Sequence, residues 1–302
     1  MSALPTPLAI DLRGRSVTRI GDLAPAELEA VLDHADDLKR RHAAREPHRL
    51  LEGRTLGLLF RKHSTRTRVS LEVAIAQLGG TAVALPPEEL QLGRGESLGD
   101  TARVLSRYLD ALAVRTDSQS ELDELAAAAS IPVLSALTDE EHPLQALADL
   151  QTICERFGGL DGVKVAWVGD GSNVCVSLAR ACSLLGVDFA CASPPGYAPP
   201  GVEAAIDPRE AVAGAHVVAT DVWVSMGQEA ERERRVRDLA PYAVDEALLR
   251  HAHPDAIVLH CLPAHPGEEI AAGVLYGPRS AVWDEAENRL HTAKALLALV
   301  CS

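Results

Sequence analysis

Short apolar runs alternate along the chain with segments whose apolar residues recur every three or four positions. Leu28, Val31, Leu32, Ala35 and Leu38 share one helical face, with Pro25 near the first turn. Residues 54–60 form a continuous apolar run of strand length. Val69, Val73, Ala76 and Leu78 then space like one face of a helix that stops at Gly79 and Gly80. Residues 80–85 read as a second strand, 86–97 as an irregular polar loop, and a helix starts near Asp100. Strand 111–116, helix 120–129 and strand 131–134 follow, then a long helix over 142–157. A glycine-rich stretch, 158–162, opens a second alternating series. It holds strand 163–168, helix 173–185, strand 188–192, a short helix over 208–213 and strand 216–220. After the loop 221–227 and a charged stretch come strand 256–260 and a last helix, 285–300, carrying Leu290, Leu296, Leu297 and Val300.

This alternation predicts an α/β protein of two domains, each a parallel sheet flanked by helices, with the boundary inside the long helix. Ligands gather at the carboxyl ends of such strands, and Arg68 and Arg115 stand next to such ends. The length of 302 residues suits two cores, and 47% hydrophobic with 24% charged residues is the balance of a soluble globular chain. A net charge of −14 argues against nucleic acid or an anionic membrane as partner, so an anionic ligand must be held by locally placed arginines. No apolar run is long enough to span a bilayer, the start lacks the pattern of a signal peptide, and the six cysteines show no CxxC or disulfide-framework spacing. The expected compartment is the cytoplasm.

The densest chemistry lies at Ser64, Thr65, Arg66, Thr67 and Arg68, where a strand turns into a helix N-terminus. The first amides of a helix lack internal partners and carry partial positive charge. Hydroxyls and guanidiniums around them make an anion cradle suited to phosphate. A capped helix with surface arginines is the plainer alternative. Gly169, Asp170, Gly171, Ser172 and Asn173 follow a strand, but the third glycine of a dinucleotide turn is missing and no acid ends the next strand. A tight turn presenting Asn173 to a small ligand fits better. His260, Cys261 and His265 with Glu268 and Glu269 could suggest zinc, yet adjacent residues at a strand end point to opposite sides and chelate one ion poorly. A nucleophilic Cys261 is a further possibility. An anion set in the first half (Arg66, Arg115, His142, Gln145) and an amide, acid and hydroxyl set in the second (Asn173, Asp221, Ser225) describe a two-substrate transferase more naturally.

Five segments together resemble the ornithine carbamoyltransferases of the aspartate/ornithine carbamoyltransferase family. They are Ser64-Thr-Arg-Thr-Arg68, Asp139-Glu-Glu-His-Pro-Leu-Gln145, Thr220-Asp-Val-Trp-Val-Ser-Met-Gly-Gln228, His260-Cys-Leu-Pro-Ala-His265 and Asp284-Glu-Ala-Glu-Asn-Arg289. The resemblance implies a carbamoyl phosphate-binding domain over 1–148, an ornithine-binding domain over 149–284 and a C-terminal helix, 285–302, packing back on the first domain. It implies carbamoyl phosphate on Ser64, Thr65, Arg66, Thr67, Gln91, Arg115, His142, Gln145, Cys261, Leu262 and Arg289, with Gln91 donated by a neighbouring subunit of a trimer. It implies ornithine on Asn173, Asp221, Ser225 and Met226. Arg66, Thr67, Arg115, His142, Asp221 and Cys261 would carry the chemistry, with no metal and no organic cofactor. Arg61, His63, Ser135, Ser172 and Pro266 depart from the family's usual residues, and the segment 197–211 is short. These departures leave open a related enzyme acting on another amine, or a carbamoyl phosphate binder without turnover.

Overall fold

The computed structural model describes residues 10–62, 64–90, 95–225 and 227–301. Its contacts divide the chain into two compact units, Met1–Thr138 with Leu290–Ser302, and Asp139–Arg289. By this division the whole of the long helix α5 (Pro143–Phe157) lies in the second unit.

The first unit carries a four-stranded parallel sheet in the order β2-β1-β3-β4, formed by β1 (Thr55–Phe60), β2 (Thr81–Leu85), β3 (Ala111–Arg115) and β4 (Val133–Leu137). Helix α1 (Pro25–Ala43) buries all five of the apolar residues that share its predicted face. Helices α3 (Leu98–Leu105) and α4 (Gln119–Ala128) close one cluster with strand residues Leu59, Leu112, Val114 and Val133. Two expectations need correction. β4 begins at Val133 and runs to Leu137, later than 131–134, because the buried run continues through the polar Ser135. Helix α2 (Thr65–Gln77) buries Thr67, Leu71, Ala74 and Ile75, not the Val69, Val73 and Ala76 face. A helix with apolar residues on two faces gives an ambiguous period; here the face through Leu71 is the buried one, and Val69 stays 50% exposed.

The second unit carries a five-stranded parallel sheet, order β7-β6-β5-β8-β9. Its strands are β5 (Lys164–Val168), β6 (Asp188–Ala192), β7 (Ala204–Ala205), β8 (Val217–Thr220) and β9 (Ile257–His260). Val165 and Trp167 face one cluster with helix α6 (Asn173–Leu185), while Ala166 and Val168 face another with α7 (Pro208–Val212) and α9 (Glu246–Leu249). Both faces are covered, so these strands read as unbroken apolar runs. The short segment after Tyr197 keeps an edge strand, the two-residue β7.

The charged stretch contains a helix, α8 (Arg232–Leu239), whose inward residues are Arg235 and Leu239. A further short helix, α10 (Ala272–Leu275), precedes the last helix α11 (Val282–Cys301). α11 starts three residues before the expected 285, and its part from Leu290 onward belongs to the first unit. The expected fold class, parallel sheets flanked by helices with a C-terminal helix, is the one observed.

Candidate active site

In the first unit the candidate residues gather where the strands end. Phe60 and Arg115 are paired neighbours at the carboxyl ends of β1 and β3, and the Arg61 N–H donates to the Arg115 carbonyl at 2.9 Å. The chain then enters α2 through Ser64, an extended residue (φ −156°, ψ 108°) at the N-cap whose side chain makes no capping bond. Thr65 and Arg66 are exposed in the first turn, and Thr67 is buried. The neighbouring cations are matched locally: Arg61 with Glu121, Lys62 with Asp117, and Arg68 with Glu72 one turn on. Arg68 therefore turns outward along the helix surface, against the expectation that it serves the strand-end site. Gln91 lies outside the described residues.

In the second unit the pairing of strands explains the site. Thr220 and His260 are partners at the ends of β8 and β9, so the next residues, Asp221 and Cys261, meet. The Cys261 thiol donates to Asp221 Oδ1 at 3.1 Å, the Ser172 hydroxyl to Oδ2 at 3.0 Å and the Val222 N–H to Oδ1 at 2.8 Å. Burial, with the charge of Asp221 beside it, pushes the Cys261 thiol well above its ordinary range. It is a neutral donor, and the nucleophilic-thiolate alternative loses its physical basis.

Ser172 is the extended N-cap of α6, and Asn173 opens that helix. Gly171 is required there, since a Cβ would collide with Pro199. Ser225 lies in the loop after β8, where its N–H donates to Gln228 Oε1 at 3.0 Å; Met226 lies outside the described residues. The Leu262 N–H is given to His260 Nδ1 at 2.9 Å.

His142, Gln145 and Arg289 also come together. His142 is the N-cap of α5, held by its N–H on Ser177 Oγ at 2.7 Å. Arg289 Nη1 donates to Gln145 Oε1 and lies 3.4 Å from His142 Nε2. All three residues are at least 96% buried, their exposures being 4%, 1% and 4%.

His260 corrects a second expectation, because it, Asp221 and Cys261 do bring ligand-type atoms within 4.8 Å of one another. The strand-end neighbours diverge less than strict alternation predicts. His260 is nevertheless committed at both nitrogens, Nδ1 to the Leu262 N–H and Nε2 to Glu269 at 3.2 Å. Burial opposes the charge of Glu269, but hydrogen bonds from His260 and the His265 N–H hold its carboxyl below the usual range.

Sequence reasoning passed over three groups that shape this region. Asp149 and Glu285 both bind the Gln145 amide. Arg235 pairs with Asp170 and donates to the Trp223 carbonyl at 2.6 Å, tying α8 to the ends of β5 and β8. Burial, opposed by Arg235 and reinforced by Asp221, pushes Asp170 up to about 6. No sequence signal separates Arg235 from Arg232, Arg234 and Arg237 of the same charged helix.

Models of the two halves of one family match most of the chain. The carbamoyl-P binding domain of aspartate/ornithine carbamoyltransferase matches residues 15–155, and its Asp/Orn binding domain matches 161–300. The chain belongs to the aspartate/ornithine carbamoyltransferase family. Among members of this family it is 50% identical over 288 residues to the ornithine carbamoyltransferase of Methanoculleus marisnigri, covering 91% of this chain and 93% of that protein. The solved ornithine carbamoyltransferase from Pyrococcus furiosus superposes with a TM-score of 0.93 at 47% identity, over 97% of this chain and 98% of that one. The Thermus thermophilus enzyme of the same name gives 0.87 at 45% identity, over 94% and 97%. As a carbamoyltransferase, the chain carries a family fold over nearly its whole length.

Proposed function

We infer that this carbamoyltransferase moves the carbamoyl group of carbamoyl phosphate to the side-chain amine of L-ornithine, giving L-citrulline and phosphate. The observation that carries the reading is Asp221, a buried carboxylate whose two oxygens are fixed by donors from Cys261, Ser172 and the Val222 N–H. A carboxylate so oriented suits an amine, which must be held as it attacks and can hydrogen-bond only in chosen directions. Asn173 and Ser225, with Met226, are assigned to the rest of the amino acid. Ser64, Thr65, Arg66, Thr67 and Arg115 are assigned to the donor, as are His142, Gln145, Arg289 and the backbone of Cys261 and Leu262. Thr67, Arg115 and His142 would stabilise the oxyanion that forms when the amine adds to the carbamoyl carbon. The phosphate then takes up the proton lost by the amine and leaves onto Arg66 and the amides of the α2 N-terminus.

One departure from the family pattern, Ser172, fits this reading. Ser172 keeps a hydroxyl on Asp221. Ser135 is buried within β4, where its hydroxyl has no hydrogen-bond partner among the described residues; nothing in the structure explains that choice. Competition among ornithine, lysine and putrescine at equal concentration tests the acceptor. Ornithine is expected to be carbamoylated at least about tenfold faster, because a missing carboxylate or an added methylene leaves buried polar groups unmatched. Equal use of another amine would reassign the enzyme to that acceptor.

The assembly proposed is a homotrimer in which Gln91 reaches a neighbour's site. The outward face of α2, with Val69 50% exposed, and Val83 on edge strand β2, 39% exposed, supply apolar surface for a second copy to cover. Mixing Arg66→Ala with Gln91→Ala chains after dissociation is expected to restore activity that neither variant has; no recovery in mixed trimers would refute the sharing. A cytoplasmic location is proposed with it. Among the described residues, no helix is long and apolar enough to cross a membrane.

A further inference from the structure

Three side chains of the second unit converge on one amide. Gln145, in the first turn of α5, donates from Nε2 to Asp149 Oδ1 at 2.8 Å and to Glu285 Oε1 at 2.7 Å. Its Oε1 accepts from Arg289 Nη1. Glu285 uses its second oxygen as well: Oε2 accepts the His260 N–H at 2.8 Å, one residue before Cys261. An oxygen of each carboxyl group therefore lies within hydrogen-bond distance of the same amide nitrogen.

An amide carries two hydrogens on its nitrogen and two lone pairs on its oxygen. With both hydrogens on carboxyl oxygens, the Gln145 amide has one workable orientation. Turned over, Oε1 would face acceptors and the NH2 group would face a guanidinium. One lone pair of Oε1 is taken by Arg289, and the second remains for a ligand N–H.

We propose that Asp149 and Glu285 are positioning residues for carbamoyl transfer: they lock the Gln145 amide so that its oxygen holds Arg289 and presents a lone pair to a carbamoyl N–H. The inference rests on the reading that the chain uses carbamoyl phosphate. Two carboxyl groups on one buried nitrogen repel when both are charged, and a single negative charge offsets Arg289. Burial pushes Asp149 up to about 7, and burial with the charge of Asp149 beside it pushes Glu285 well above its ordinary value. The charged groups facing the pair are Arg289 on α11 and Asp221 after β8.

The two acids are not equivalent, and this makes the inference testable. Glu285 accepts on both oxygens, so its isosteric amide must set a donor against either Gln145 or the His260 N–H. Asp149 is bonded to Gln145 through one oxygen, so Asp149→Asn can keep its carbonyl oxygen there as the acceptor.

The experiment measures kcat/KM for carbamoyl phosphate in citrulline formation for wild type, Asp149→Asn, Glu285→Gln, Gln145→Ala and the double variant Gln145→Ala/Glu285→Gln. Glu285→Gln is expected to lose about tenfold to hundredfold, and Asp149→Asn less. The double variant should match Gln145→Ala alone within about twofold, since Glu285 acts through that amide. Losses that multiply in the double variant overturn the proposal, as does an Asp149→Asn loss equal to or greater than that of Glu285→Gln. If Glu285→Gln does not fold, Asp149→Ala replaces it in the same cycle under the same criterion. A wild type that makes no citrulline rejects the functional reading and the inference with it; a wild type that turns over while the losses multiply rejects the inference alone.

Discussion

The carboxyl ends of the two sheets are built in opposite ways. In the first unit, Ser64, Thr65 and Arg66 lie at or near the surface, and Ser64 does not cap the helix it starts. In the second, Gln145, Asp149, Glu285 and Arg289 are buried and bonded to one another, with Glu285 held on His260 at the end of β9. An anion needs backbone amides and charge, which a helix N-terminus supplies without help from the core. Aligning a small planar group for attack needs fixed lone pairs and hydrogens, and only a rigid buried network holds those. Function and stability should therefore separate in the first region and travel together in the second.

The largest expected effect follows from the exposed side. Arg66→Ala should lower kcat/KM for carbamoyl phosphate by about 10²–10⁴-fold, the loss of two charge-assisted bonds. Its unfolding free energy should change by less than about 0.5 kcal/mol. Steady-state kinetics and urea unfolding on the same preparation check both halves, and a large stability loss would erase the contrast. Glu285→Ala should behave in the opposite way. It leaves the His260 N–H and a Gln145 N–H without acceptors, so about 2–4 kcal/mol of stability should go in urea titrations.

Much of this was legible in the sequence, for stateable reasons. The strands of the second sheet read clearly because both faces are covered, so Val165, Ala166, Trp167 and Val168 are all apolar. The meeting of Asp221 and Cys261 follows once β8 and β9 are neighbours, since each stands one residue past a paired position. The buried acids were not legible. A carboxylate on a helix reads as a solvent-facing group, and the partner that shows otherwise for Gln145, Glu285, is 140 residues away. Helix α8 escaped notice because one of its two inward positions is an arginine, whose burial Asp170 and the Trp223 carbonyl make tolerable. In α2 the apolar residues are split between two faces, and periodicity cannot say which one its own domain covers.

A smaller effect sharpens the comparison through pH. Burial, with Lys294 nearby, pushes His291 in the first unit down to about 3. A histidine with a depressed folded pKa contributes stability that is present above about 6.5 and is lost as pH falls toward 3. Asp149 has the opposite sign: raised from 3.8 to about 7, it contributes stability that is full below 3.8 and lost as pH rises through 7. The destabilisation by His291→Asn should therefore shrink between pH 7 and pH 5, and that by Asp149→Ala should grow. Urea midpoints at the two pH values check this, and equal changes in both variants would deny the opposed signs. The smallest effect is expected at Arg61, whose exposed pair with Glu121 is of the kind worth little. Arg61→Ala should alter unfolding free energy by less than about 0.5 kcal/mol and turnover by less than about twofold.

The most direct test of the division of labour varies both substrates in initial-rate citrulline assays on wild type, Arg66→Ala and Asp221→Asn. Asp221→Asn keeps one oxygen as acceptor but loses the charge and one acceptor of the Cys261 and Ser172 pair, so the ornithine KM should rise about tenfold or more while that for carbamoyl phosphate stays within about threefold. Arg66→Ala should show the converse. If Asp221→Asn impaired use of carbamoyl phosphate as much as use of ornithine, or left both untouched, Asp221 would not be the residue that receives the amine.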